Sequence, residues 1–271
     1  MKTSIKDTML IFFLCGYLTF LPACGDSTGP ADTAPDIPPQ ETMTLDLSLF
    51  DGGNQILSKT SDLNNLRTNF GEAVLTVLVV NLWVIVALTI PVGATAAALS
   101  IKPTFDEAAG KWCWNTSHEF PKQTISLQLK AQINGDVINW EMFVTRQLPT
   151  PLTDFLWYTG ENRIDGTSGH WQFYDEIRPE ESQQTVRINW IYTSETDRTL
   201  AFLNNSDDAD AGDSITYTVD GDIVTMTLID VSASNTVEVS WNKMTREGYI
   251  SKNAVKGCWD ENLLDTACST N

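Results

Sequence analysis

Residues 73–90 read AVLTVLVVNLWVIVALTI, eighteen positions without a charge, interrupted only by Thr76, Asn81 and Thr89. A fold must cover such a run with protein or hand it to a membrane. As a helix it would be about 27 Å long, just enough for a bilayer span. Asn69 followed by Glu72 has capping-box spacing and marks a helix start. Pro91 and Gly93 lead into an Ala-rich run ending at Ser100, so a helix is expected over about 70–100. Eight of the residues from 74 to 90 are Val or Ile, which keeps buried strands open. Three readings stand side by side: a helix buried in a domain, a membrane span, and buried strands. Length favours helix. Arg67 before the run and Lys102 after it set no orientation for a span.

Beyond Ser100 the period changes from helical to alternating. In 124–133, Ile125, Leu127, Leu129, Ala131 and Ile133 share one face and Ser126, Gln128, Lys130 and Gln132 the other. Asn134-Gly135 is a hairpin signal, and 137–146 returns with Ile138, Trp140, Met142 and Val144 on one face. Further strands are predicted at 154–160, 168–175, 185–194, 198–204, 214–219, 223–230, 236–243 and, last, 247–252, with Asp220-Gly221 turning a second hairpin. The fold class is mainly β: an antiparallel up-and-down barrel, or a strongly curved open sheet, packed around the one N-terminal apolar helix. Trp114, Trp140, Trp157, Trp171, Trp190 and Trp241 fall on separate strands at irregular spacings, which excludes a propeller repeat. They read first as core aromatics. The second reading makes Trp140, Trp190 and Trp241 the lining of an apolar ligand site. An outer-membrane-spanning barrel shows the same alternation with its faces exchanged, but the apolar run would tend to stop in the inner membrane during export.

Composition narrows the partners. With 17 basic and 35 acidic residues the formal charge is −18, which disfavours nucleic acid and anionic membrane surfaces. At 42% hydrophobic and 10% aromatic the chain is not disordered, and 2 His leave little for His-rich metal sites.

The N-terminus reads as an address. Lys2 and Lys6 precede an apolar run from Met9 to Phe20, followed by Leu21-Pro22-Ala23-Cys24. This resembles the lipobox of bacterial lipoprotein precursors, with an aliphatic residue three before the cysteine and a small one just before it. The resemblance covers only residues 1–24, and Pro22 is an unusual occupant of its middle position. It implies a signal peptide over 1–23, cleavage before Cys24, acylation of Cys24, and membrane anchoring through those acyl chains. A lipidated Cys24 also argues against a span at 73–90, since one further crossing would return residues 101–271 to the cytoplasm. Gly25, where an Asp would retain an enterobacterial lipoprotein at the inner membrane, leans the localisation toward the outer membrane of the cell envelope. Residues 24–42, with four Pro and almost no large apolar side chain, are expected as a flexible tether, and 43–271 as one β-rich domain.

Chemistry-bearing clusters are sparse. Asp207, Asp208, Asp210 and Asp213 form an acidic loop that reads as solvated or as a weak calcium site, without the spacing of the helix–loop–helix calcium pattern. His170, with Asp175, Glu176 and Arg178 nearby, makes an acid–base site imaginable; a surface strand explains it better. His118 is expected in a loop, Ser194 lacks a nucleophile elbow, and Asn115-Thr116-Ser117 fits a glycosylation sequon. No cofactor is implied. In an oxidising compartment Cys113, Cys258 and Cys268 allow one bridge and one spare thiol. Cys258–Cys268 is the expected bridge; Cys113–Cys258 would instead staple the seam of a closed barrel. The functional reading is a non-enzymatic envelope lipoprotein with an unknown protein partner. The alternatives are lipocalin-like binding of an apolar ligand and a carboxylate-based hydrolase.

Overall fold

The alternating segments form strands in the computed structural model, which describes residues 33–50, 68–120 and 123–268, with backbone alone for 81–94, 99, 118 and 120. In chain order the strands are β1 (Thr104–Asp106), β2 (Lys111–Phe120), β3 (Gln123–Asn134), β4 (Val137–Arg146), β5 (Leu152–Arg163), β6 (Ser168–Tyr174), β7 (Gln184–Ser194), β8 (Asp197–Asn204), β9 (Ser214–Asp220), β10 (Ile223–Asp230), β11 (Asn235–Asn242), β12 (Gly248–Lys252), β13 (Val255–Trp259) and β14 (Asp265–Thr266). They make one antiparallel meander in which each strand pairs with the next. Among the described residues β1 and β14 are its two edge strands, and the sheet is not closed by hydrogen bonds.

The meander is longer than the ten or so strands expected. β13 follows a turn at Asn253-Ala254, both at positive φ (47° and 70°). Two left-handed residues suit the right-handed twist of a hairpin, but Asn-Ala lacks the glycine that usually announces such a turn. Cys258, placed beyond the last strand by the sequence, therefore lies on β13. A bulge in β5 pairs Met142 with Tyr158 and Phe143 with Leu156. The extra residue, Trp157, is turned inward beside Tyr158, and both are buried.

The apolar run is helical: α1 spans Asn69–Leu99, 31 residues and about 46 Å. Thr68, not Asn69, caps it, its Oγ1 accepting from the Gly71 amide at 3.0 Å. Asn69 instead reaches the sheet, donating from Nδ2 to the Cys258 carbonyl at 3.0 Å, while its amide donates to Asp265 at 2.8 Å. Ala73, Val74, Val77 and Val80 form a buried stripe, and Ala98 near the far end is buried too. Leu75 and Val79, 40% and 65% exposed, show that the helix is not covered all round as expected. Among the described residues no helix is long and apolar enough to cross a membrane.

The tether expected over 24–42 is described from residue 33. From there the chain lies against the sheet: Ala34 and Ile37 pack on the core, and Pro38 and Thr42 are buried. Short 3-10 turns at Gln40–Thr42 and Ser48–Phe50 carry Thr42, Met43 and Phe50 into the same core.

Candidate functional site

One face of the meander carries the buried indoles Trp140, Trp171, Trp190, Trp241 and Trp259, and glycines set their spacing. Trp140 of β4 faces Gly160 of β5, which faces Trp171 of β6. Trp241 of β11 faces Gly248 of β12, which faces Trp259 of β13. A Cβ on Gly160 would lie 2.2 Å from the Trp171 ring; one on Gly248 would lie 2.4 Å from the Trp259 ring and 2.3 Å from the Ser240 carbonyl oxygen. Each indole thus covers the neighbouring strand at a position where only glycine leaves room.

This aromatic face is met by the chain's own N-terminal residues. Trp171 donates from Nε1 to Thr42 Oγ1 at 3.2 Å. Tyr217 donates to the Asp46 carbonyl at 3.2 Å. Phe50 packs edge-on against Trp241, ring centroids 4.9 Å apart, and Phe70 against Trp259 at 5.5 Å. Tyr158 and Thr95 share a buried hydroxyl–hydroxyl bond of 2.8 Å. Burial pushes the Tyr158 phenol well above its usual range, against a smaller lowering from Thr95.

The tryptophans singled out as ligand-lining are core residues: Trp140, Trp190 and Trp241 are 1%, 2% and 2% exposed. Trp140 donates to Asn162 Oδ1, and Trp190 lies over Gly169, its Nε1 buried without a protein partner. Clefts of about 730, 460, 380 and 280 Å³ open on the surface, and none is lined by these three residues.

The acidic loop does not gather its carboxylates. Asp207 pairs with Arg178 at 3.2 Å, which holds its carboxyl below the usual range. Asp208 accepts the Asp210 amide, and Asp213 accepts the Val231 amide. Among the described residues no three metal-ligating side chains converge. The imagined acid–base site is also dispersed. His170 pairs across strands with Glu161 and Asn189, and burial, then Arg187, depress its pKa. Arg178 bridges Asp175, Glu181 and Asp207, whereas Glu176 turns to Arg146, a 2%-exposed side chain that sequence reading passed over. His118 and the Asn115-Thr116-Ser117 sequon lie on β2 rather than in a loop, Asn115 Oδ1 accepting from Gln128 at 2.9 Å. Ser194 ends β7, its Oγ beside Thr196. Among the described residues the carboxyl groups whose pKa moves, Asp165, Asp207 and Asp230, all move down, opposite to the need of a general acid.

Cys258 and Cys268 are bridged as expected, with Cα atoms 5.2 Å apart, which excludes a Cys113–Cys258 seam. Cys113, expected as a spare thiol, is buried and disulfide-bonded. Cys24 lies outside the described residues. Comparison with family models, with curated proteins and with solved structures finds no match to this chain.

Proposed function

We propose that this chain is a membrane-anchored envelope lipoprotein with a non-enzymatic, interaction or structural role, its curved sheet occupied by its own N-terminal layer. The observation that carries the reading is the use made of the aromatic face. Trp171, Tyr217, Trp241, Trp259 and Tyr158 each have a partner between Thr42 and Thr95. A carrier would keep such a face open for its apolar ligand. The helix supports the same reading, because Asn69 bonds to β13 and Thr95 to β5: both ends are fastened to one sheet. Titration with an environment-sensitive apolar dye should give no saturable change. One-to-one saturation at micromolar dye would favour the apolar-ligand reading instead.

The anchor is carried by Leu21-Pro22-Ala23-Cys24 after a basic and then an apolar segment. Mass spectrometry of the Cys24 peptide from membranes tests it. An acylated peptide, with label lost in Cys24→Ser, supports the anchor; an unacylated Cys24 peptide ends it.

A further inference from the structure

The N-terminal half of α1 leaves one stripe open. Glu72, Leu75, Thr76 and Val79 follow one another on a single face at helical spacing. Leu75 and Val79 are exposed, whereas Val74, Val77 and Val80 are buried in the core. The stripe ends at a cleft of about 280 Å³ between α1 and the strands β9 and β10. Val79, Val80, Ile215 and Leu228 are its apolar lining, Ile215 and Leu228 being partners across the two strands. Asp210 and Asp213, just before β9, and Asp230, the last residue of β10, complete it with carboxylates.

The charge around this cleft has one sign. None of the three carboxylates forms an ion pair among the described residues. Asp230 accepts the Ala233 amide at 2.8 Å and the Ser232 hydroxyl at 2.9 Å, which hold its carboxyl below the usual range. Asp213 accepts the Val231 amide at 2.9 Å. At the far end of the stripe Glu72 is neutralised by Lys252 at 2.7 Å. The uncompensated negative charge therefore lies at the Val79 end, beside exposed apolar surface. A second copy of this chain, at −18, or an anionic lipid surface would be repelled there. A surface that brings cations next to apolar side chains matches both features.

We propose that the stripe and cleft dock a basic amphipathic helix of a partner protein, its apolar residues along Leu75 and Val79 and its Lys or Arg side chains over Asp210, Asp213 and Asp230. Leu75 and Val79 stand four residues apart on α1, so apolar side chains at the same spacing on a second helix can lie along them. The charge fixes the direction of the partner, because its cations must reach the Val79 end, away from Lys252. The proposal deepens the interaction reading above and rests on it.

Fluorescence anisotropy of a labelled peptide titrated with the purified protein tests the proposal. The peptide has Leu at i, i+4 spacing and Lys elsewhere, over about twenty residues so that it is helical. Binding should saturate in the micromolar range at low salt, weaken as salt rises, and be lost when Glu replaces Lys in the peptide. Val79→Asn and Asp210→Lys, both at exposed positions, should each weaken it severalfold and keep the wild-type circular dichroism. Asp222→Lys makes the same charge change in the turn at the other end of β9 and β10, and should leave binding within about twofold. Equal loss in Asp222→Lys, or indifference to Val79→Asn, reduces the binding to general charge attraction and overturns the site. Equal binding of the Glu peptide overturns it as well. A dimer in sedimentation velocity that Val79→Asn abolishes makes a second copy the occupant and overturns the basic partner. No peptide binding, with no dye saturation, removes this surface and leaves the occupied-sheet reading standing. Dye saturation that the peptide does not displace overturns that reading alone.

Discussion

The two Trp–Gly–Trp sets use one device and fasten the N-terminal layer differently. In β4–β6 the contacts that fix the layer are polar. Trp171 donates to Thr42, and Tyr158, edge-on to Trp171 at 5.6 Å, bonds to Thr95. In β11–β13 rings dominate: Phe50 on Trp241, Phe70 on Trp259, and the two phenyl rings stacked at 5.7 Å, with Asn69 donating to the Cys258 carbonyl beside them. Hydrogen bonds between neutral groups contribute about 1 kcal/mol each and set direction. Buried rings contribute several times that and are indifferent to small rotations. The second set therefore holds most of the energy of the layer, at the point where α1 begins, and the first set fixes where the layer lies.

Removing a ring at the second set should have the largest effect. Phe70 is 7% exposed between Phe50 and Trp259. Phe70→Ala is expected to cost about 3–5 kcal/mol in urea unfolding. A loss below about 1 kcal/mol would mean that the layer is not held there. The two central glycines come next, and they rank. A methyl on Gly160 meets the Trp171 ring, with the nearest backbone atom at 3.1 Å; on Gly248 it meets the Ser240 carbonyl at 2.3 Å as well. A ring can tilt and a paired carbonyl cannot, so Gly248→Ala should cost more than Gly160→Ala, each within about 1–3 kcal/mol. Reversed order would show that β12 shifts more readily than its neighbours.

The strands could be read from alternation because each needs only local pattern: β3 and β4 contain their own signal in Ile125 to Val144. The glycines of the trios could not. Gly160 and Gly248 look like weak strand positions until register puts them opposite two indoles. Thr42 was hidden in the same way, since a polar, Pro-rich stretch reads as solvated, yet its hydroxyl is the partner a buried indole requires. The cleft of about 380 Å³ draws on residues 41–46, 195–198, 219 and 243, so no window of sequence contains it. The acidic loop was legible as composition, but its carboxylates turn to Arg178 and to nearby backbone amides, which composition does not reveal.

The first set can be weakened through its polar contacts. Thr42→Val keeps the shape and leaves the buried Trp171 N–H without its acceptor, at a cost of about 1–2 kcal/mol. Calorimetric melting measures it, and no loss would show that the bond does not help to hold the layer.

The smallest effect depends on pH. The Tyr158 phenol is fully buried and its pKa is raised above the usual 10, first by burial. Because the folded pKa exceeds the unfolded one, this contribution is intact below about pH 10. It is lost as pH rises further, by up to about 1.4 kcal/mol per pH unit. Tyr217 and Tyr249 move the same way, the latter to about 12 through burial and then its bond to Glu238, so wild-type stability should fall on the alkaline side. Tyr158→Phe leaves the Thr95 hydroxyl without its partner and is expected to lower stability at pH 7 by about 1 kcal/mol. Above pH 10 the variant no longer has a buried phenol to ionise. The two stability curves should converge and then cross near pH 11. Parallel curves between pH 8 and 11 would mean that Tyr158 ionises within the folded protein, and that the polar set opens before the apolar one.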